Sequence, residues 1–318
     1  MPLNVATRNM QLIRQLPIRS DHQSAVAISN FDGLHLGHQA VIGAMVGAAR
    51  AENLIPSVLT FEPHPRRFFA PHTPDFRIER LADKWERLRT AGVARVVMPH
   101  FDATFASMSA EAFLDDVLGQ SLGAKAVVTG ENFAFGHKRR GDSAMLKAWG
   151  ARHGVEIITV PPVAVSGVIC SSSAVRANIT AGDMPRAAQL LGRHYVLSGR
   201  VVHGDGRGRT IGFPTANVAV PPGLLLPAYG VYAVRAAVDG VTYPGVANFG
   251  IRPTVSVDKR PSLEVYLFDV VQEIYGKKMH VSFVYNLRAE MKFDGVEALK
   301  AQITKDCETA RLLLGTHA

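Results

Sequence analysis

The run Asn30-Phe31-Asp32-Gly33-Leu34-His35-Leu36-Gly37-His38 sets two histidines beside a glycine-containing turn, just ahead of an apolar stretch of helical period. A helix that starts here offers unpaired N–H groups and the positive end of its dipole, which suit a phosphate. Gly37 removes a side chain where a nucleotide must come close. His35 and His38 can donate to phosphate oxygens as charge builds on them. The same residues also read as a turn with incidental histidines. Zinc is a poorer reading, because the spacing is not that of a His-Glu-x-x-His helix and no third ligand is evident.

The second chemical stretch runs from Gly199 to Asn217. Gly204, Gly206 and Gly208 alternate along it, with Arg207 and Arg209 between and after them. Such a loop is flexible and basic and can close over phosphates, although a barrel hairpin has the same look. Gly212-Phe213-Pro214-Thr215-Ala216-Asn217 follows directly. The Thr215 hydroxyl and the Asn217 carbonyl oxygen are hard ligands, suited to Mg²⁺ that substrate phosphates also hold.

These residues need elements to position them. Ser24–Ser29, Ile55–Phe61, Val93–Met98, Lys125–Thr129 and Val155–Val160 read as buried strands. Between them, His38–Glu52, Glu79–Ala91, Ser109–Leu118 and Ser143–His153 have helical period. This alternation predicts a parallel α/β sheet covered on both faces, with its site at the carboxyl ends of the strands. Three further runs follow such ends: Phe61-Glu62-Pro63-His64-Pro65, Gly130-Glu131-Asn132-Phe133-Ala134-Phe135-Gly136 with the basic run His137-Lys138-Arg139-Arg140 behind it, and Ser171-Ser172-Ser173-Ala174-Val175-Arg176. Each has a plain alternative: core aromatics, a solvated loop, a helix cap. Met184–Gly192 adds one more helix. The pattern then turns to short β runs at Val196–Val202, Gly230–Val238, Val241–Val246, Ser262–Phe268 and Lys278–Tyr285, as in an antiparallel barrel or sandwich, closed by a helix at Val296–Leu314. The expected domains are 1–186 and 187–318, with the boundary near 184–194.

The chain has 318 residues, 47% hydrophobic and 19% charged, so it is globular rather than disordered. Its net charge of +8 favours anionic partners, either nucleic acid or phosphorylated small molecules. Cys170 and Cys307 are too few and too far apart for a disulfide framework, which fits a reducing, cytoplasmic setting. No apolar run reaches the roughly 18 residues of a membrane span. The first residues carry Arg8, Arg14 and Arg19 and no acid, a weak likeness to a transit peptide, but Ser20 is their single serine and a plain start to the fold is expected.

Taken together, the motifs resemble those of the prokaryotic bifunctional FAD synthetase family, which joins a riboflavin kinase to an FMN adenylyltransferase. The first half resembles its Gly-x-Phe-Asp-Gly-x-His-x-Gly-His, Phe-Glu-Pro-His-Pro and Ser-Ser-Thr-x-x-Arg motifs. The second half is similar to its kinase, through Gly199–Asn217, Gly245–Thr254, Tyr275-Gly276 and Leu287–Phe293. The resemblance spans nearly the whole chain. It implies a Rossmann-like nucleotidylyltransferase domain followed by an antiparallel barrel, with ATP, riboflavin and FMN as substrates and FAD as product. It places His35, His38 and Arg176 in adenylyl transfer and makes Glu264 the base of the kinase; by its type alone, Glu264 reads as a surface strand residue. It assigns nucleotide and flavin binding to Asn30, Phe31, Asp32, Gly33, Gly37, Phe61, His64, Asn132, Phe135, Ser171 and Ser172. In the kinase half the binding set is Gly204, Gly206, Arg207, Gly208, Arg209, Gly212, Pro214, Asn248 and Arg288, with Thr215 and Asn217 on the metal. Ser29, Ser173, Ala174 and Tyr266 depart from the residues usual at their positions. The remaining readings are a chain with only its adenylyltransferase half active, and a basic nucleic-acid-binding protein. Against the latter, the basic residues are spread along the chain and no aromatic-interleaved RNA motif is present. The expected partners are therefore the small substrates, with neither nucleic acid nor membrane, and a homo-oligomer is left open.

Overall fold

A computed structural model describes residues 10–17, 23–204, 207–251, 261–269 and 274–315. The chain forms two compact units, Met1–Pro74 with Arg80–Ser171, and Asp75–Glu79 with Ser172–Ala318.

The first unit is a parallel sheet with helices on both faces. Its strands are β1 (Gln11–Ile13), β2 (Ser24–Ile28), β3 (Ile55–Leu59), β4 (Arg95–Val97), β5 (Ala124–Gly130) and β6 (Glu156–Val160), ordered β1-β4-β3-β2-β5-β6. All five residues of β2 are buried, as a strand covered on both faces must be. On one face α1 (Leu36–Ala51) and α3 (Leu81–Thr90) bury Ile42, Met45 and Leu88 against Ala25, Ala27 and Val58. The other face packs Val26, Ile28 and Val127 against Leu114, Leu118 and Trp149. Short helices α2 (Pro65–Phe69), α4 (Ala103–Ser107) and α5 (Ala110–Ala112) lie among the loops, and α6 (Ser143–His153) follows β5. The helix expected over Ser109–Leu118 continues from α5 as a π-helix, Phe113–Ser121. Its buried residues are Phe113, Leu114, Val117, Leu118 and Ser121, a stripe that faces the sheet. Strand β1 and the small hairpin β7 (Ala164–Val165) and β8 (Val168–Ile169) are additions to the sequence reading.

The second unit holds α7 (Ser172–Ala181), α8 (Met184–Leu191) and a closed antiparallel barrel. Its strands are β9 (Tyr195–Val202), β10 (Ala216–Val218), β11 (Gly230–Val238), β12 (Val241–Ile251), β13 (Pro261–Leu267) and β14 (Lys278–Arg288), in the order β10-β13-β12-β11-β14-β9. The single turn α9 (Arg207–Thr210) lies between β9 and β10, whose pairing closes the ring. The barrel-or-sandwich alternative is thus resolved as a barrel. Along β13, buried Leu263, Val265 and Leu267 alternate with Ser262, Glu264 and Tyr266 on the other face. The last helix, α10 (Val296–Leu314), packs Cys307, Ala310 and Leu314 against Val231, Ala233, Val246 and Val284. The segment Asp75–Glu79 belongs here: Leu225 donates its N–H to the Arg77 carbonyl at 2.7 Å, and Gly223 donates to Asp75 Oδ2 at 2.9 Å.

Candidate active sites

In the first unit the chain leaves β2 at Ser29 and enters a strained turn. Phe31 and Leu34 have φ of 47° and 35°, a left-handed region that costs an L-residue about 1–2 kcal/mol. Buried partners hold the turn in place. The Lys84 ammonium and the Thr60 hydroxyl both donate to the Asn30 carbonyl, at 2.8 and 3.1 Å. Gln39 Nε2 donates to the Leu34 carbonyl at 2.9 Å. Phe31 is fully buried, with its ring centroid 5.2 Å from that of His38.

The turn delivers His35 as the N-cap of α1, its Nδ1 accepting the His38 N–H at 3.4 Å. That bond leaves the other ring nitrogen to carry the proton of a neutral His35. The two imidazoles stack, with centroids 3.8 Å apart and planes inclined by 24°. His38 Nε2 lies 3.1 Å from the Ser29 hydroxyl, so Ser29 engages one of the two histidines directly. A side chain at Gly37 would sit 3.1 Å from both the Cys170 carbonyl and His35 Cε1. A side chain there would press on both neighbours, which glycine avoids.

A cavity of about 790 Å³ opens above these residues. Asn30, His35, Gly37, His38, Phe61, Asn132, Phe135 and Ser171 line it together. It lies where the loops after β2 and β5 part, β2 standing between β3 and β5 in the sheet. Phe31, Asp32, Gly33 and His64 are not among the lining residues. Phe31 and Asp32 are buried, and His64 instead caps α2, its Nδ1 accepting the Arg66 N–H at 3.0 Å. Much of the wall is aromatic: Phe69, Phe101, Phe105, Phe113 and Phe133 join it. Apart from Phe133, these rings and the anchor Lys84 escaped sequence reasoning, because they come from scattered segments with no shared motif.

The unit boundary falls between Ser171 and Ser172, inside the serine–arginine motif. Ser172 opens α7, and Arg176 on that helix donates from Nε to the Phe76 carbonyl at 2.9 Å. Its guanidinium carbon lies 5.4 Å from the Phe76 ring centroid.

The second constellation is set by barrel register. Asn217 on β10 faces Glu264 on β13, and Glu264 faces Asn248 on β12. Directly opposed residues share a face, so an amide, a carboxylate and an amide stand in one row. The Ser262 hydroxyl donates to Glu264 Oε1 at 3.2 Å. Gly204 lies against Asn217, since a Cβ there would run into the Asn217 amide nitrogen. A Cβ on Gly208 would collide with the Phe213 carbonyl and come within 3.1 Å of the Thr215 hydroxyl oxygen. Gly212 turns with φ of 90° ahead of Pro214, and Arg209 is exposed on α9. Gly206 lies outside the described residues, and Arg207 is described in its backbone only. The loop is also met by a ring pair, His203 stacking on Tyr275 with centroids 4.0 Å apart.

Two positions carry packing duties. Tyr266 meets the Phe213 ring edge-on at 5.4 Å and sits in the α10 core, where burial first pushes its phenol upward from the usual value. Arg288 makes a bidentate pair with Asp306 of α10, at 2.8 to 3.1 Å. Among the described residues no cluster of three or more His, Cys, Asp or Glu could hold a metal. Thr215 and Asn217 offer neutral oxygen donors beside a glycine loop, which fits an ion that relies on substrate phosphates for most of its ligands.

The sequence matches the FAD synthetase family model over residues 18–174 and the riboflavin kinase model over residues 191–314. It is 41% identical to the bifunctional riboflavin kinase/FMN adenylyltransferase of Haemophilus influenzae, covering 95% of this chain and 98% of that protein. The Escherichia coli K12 protein of the same name is 40% identical over 91% of this chain and 92% of its own length. That of Pseudomonas fluorescens is 39% identical over 97% and 99%. A crystal structure described as a macrolide-efflux protein from Streptococcus pneumoniae superposes with a TM-score of 0.86 at 32% identity, over 95% of this chain and 99% of that one. No helix among the described residues is long and apolar enough to cross a membrane. Both halves and their order match the named enzymes from end to end, and the chain therefore belongs to the bifunctional riboflavin kinase/FMN adenylyltransferase family.

Proposed function

We propose that this enzyme runs its two reactions on separate residue sets, riboflavin phosphorylation on the barrel row and adenylyl transfer in the cavity after β2 and β5. The observation that carries the reading is the stacked His35–His38 pair at the N-terminus of α1, facing a cavity large enough for a nucleotide and a flavin.

In the cavity, ATP lies on the His35–His38 turn and the flavin of FMN packs on the aromatic wall near Asn132 and Phe135. A phosphate oxygen of FMN attacks the α-phosphorus of ATP, the bond to the β-phosphate oxygen breaks, and pyrophosphate leaves. The nucleophile is already ionised, so no base is required. The histidines and Ser171 position the triphosphate and neutralise the charge that develops. Phe31, Asp32, Gly33 and His64 shape the turns that present these groups.

On the barrel, the ribityl hydroxyl of riboflavin attacks the γ-phosphorus of a second ATP, and ADP leaves. Its proton passes to Glu264, whose carboxylate the Ser262 hydroxyl orients. Gly204, Gly206, Gly208 and Gly212, with Arg207, Arg209 and Pro214, close over the phosphates. Asn248 orients the flavin side. Mg²⁺ on Thr215 and Asn217 would neutralise the transferring phosphoryl group. Arg288 serves by fixing β14 to α10. We assign adenylyl transfer to 1–186 and the kinase to 187–318, in a cytoplasmic enzyme.

Purified protein incubated with riboflavin, ATP and Mg²⁺ should give FMN and then FAD on chromatography, and FMN supplied directly should give FAD. Glu264→Gln should block FMN formation while still converting supplied FMN. FMN formation at the wild-type rate in that variant would remove Glu264 from the role of base.

A further inference from the structure

The basic run behind β5 is used by neither reaction as described. It forms a short hairpin: Phe135 donates its N–H to the Gly141 carbonyl at 3.0 Å, and Gly141 donates back at 2.9 Å. The hairpin is pinned from outside, where His137 donates its N–H to the Met108 carbonyl at 2.7 Å and places Nδ1 3.2 Å from the Ala106 carbonyl. At its tip Lys138 and Arg139 both take left-handed backbone, with φ of 55° and 58°. Glycine is the residue for such a tip when only the turn matters. Two cations stand there instead, and non-glycine strain of this kind gathers at functional sites. Both residues line the cavity and are exposed. Among the described residues neither side chain has a hydrogen bond or an ion pair. The other charged or titratable groups on the cavity wall include Glu131, His35 and His38.

We propose that Lys138 and Arg139 form the subsite that holds the phosphate of FMN for attack, an inference that rests on the cavity being the adenylyl-transfer site. The loop after β5 lines the cavity together with the turn after β2 that carries the histidines. On the β5 loop, two stacked rings, Phe133 and Phe135, with centroids 5.4 Å apart, precede the cations by only a few residues. One segment thus presents a flat apolar surface and then two positive charges, the pattern of a ligand with a planar ring at one end and a dianion at the other. A phosphate brought up to a triphosphate meets strong like-charge repulsion, which fixed cations on the acceptor side offset.

ATP carries phosphates too, and the test separates the two substrates. In full-length Lys138→Gly/Arg139→Gly, glycine keeps the left-handed backbone and removes both side chains with their charges. The KM for FMN should rise about tenfold or more, as for the loss of charge-assisted contacts. The KM for ATP in the same assay, and the rate of riboflavin phosphorylation, should not change. Added salt should raise the wild-type KM for FMN and leave that of the variant nearly unmoved. Lys138→Arg/Arg139→Lys should restore the wild-type value. An unchanged KM for FMN, or a rise confined to ATP, would overturn the proposal. Failure of the underlying reading shows separately, as full FAD formation by His38→Ala.

Discussion

The Ser29 hydroxyl lies 3.1 Å from His38 Nε2. Ser29→Ala removes that contact, and kcat for FAD formation should fall about fivefold, the worth of one ordinary hydrogen bond, with the kinase rate unchanged. His38→Ala should cost about 10²–10³ in the same rate, because it removes a donor to the reacting phosphates. A different histidine governs stability. Burial, and then the Arg235 charge, hold His194 below its ordinary pKa, and its Nδ1 is buried without a partner. At pH 8 it is largely unprotonated folded or unfolded. As pH falls through the ordinary value near 6.5, the unfolded chain takes up a proton that the folded chain resists, so stability drops. Urea unfolding from pH 8 to 5 should show this loss, and His194→Gln should flatten it.

At the scale of elements, α10 is held to the barrel by both a charge pair and an apolar face. Asp306 is 6% exposed and Arg288 17%, so the pair is largely desolvated. Asp306→Ala strands the guanidinium and should cost about 3 kcal/mol in urea unfolding. Cys307, the next residue, reports the docking. Burial, helped by the Asp306 charge, pushes its thiol up to about 11, so little thiolate exists at neutral pH. Iodoacetamide should label Cys307 slowly in the wild type and much faster in Asp306→Ala. Equal labelling rates would mean that α10 stays docked without the ion pair. The strand row Asn217–Glu264–Asn248 has the opposite character: it is held by backbone register, so single substitutions there should change rates far more than stability.

At the scale of the molecule, the histidine turn and its cavity lie in the first compact unit, and Thr215, Asn217 and Glu264 lie in the second. Neither His38→Ala nor Glu264→Gln alone should carry riboflavin through to FAD. Mixed in one tube with riboflavin, ATP and Mg²⁺, the two variants should make FAD again, because FMN released by one chain is substrate for the other. No FAD from the mixture, with FAD from wild type at equal concentration, would mean that FMN does not pass between chains.

Several features were readable from sequence because their signals are local. The bounds of α6, β11 and α10 follow from period and end residues alone. The turns proposed to bind phosphate were singled out by glycine, histidine and hydroxyl placement at predicted strand ends. Strands β1 and β10, of three residues each, are too short to show a period. Lys84 and Asn30 meet across 54 residues, and only the packing of α3 beside the turn after β2 joins them. Whether the β half closes as a barrel or opens as a sandwich depends on the β9–β10 pairing, and the β10–β13 and β12–β13 registers set Glu264 between two asparagines. The amino-acid sequence determined which chemical groups stand at the ends of which elements, since period, caps and turns act over a few residues. The tertiary structure alone decided which groups line one cavity or stand in one strand row and which, like Arg288, pair with a packing helix, because those outcomes rest on register and burial across distant segments.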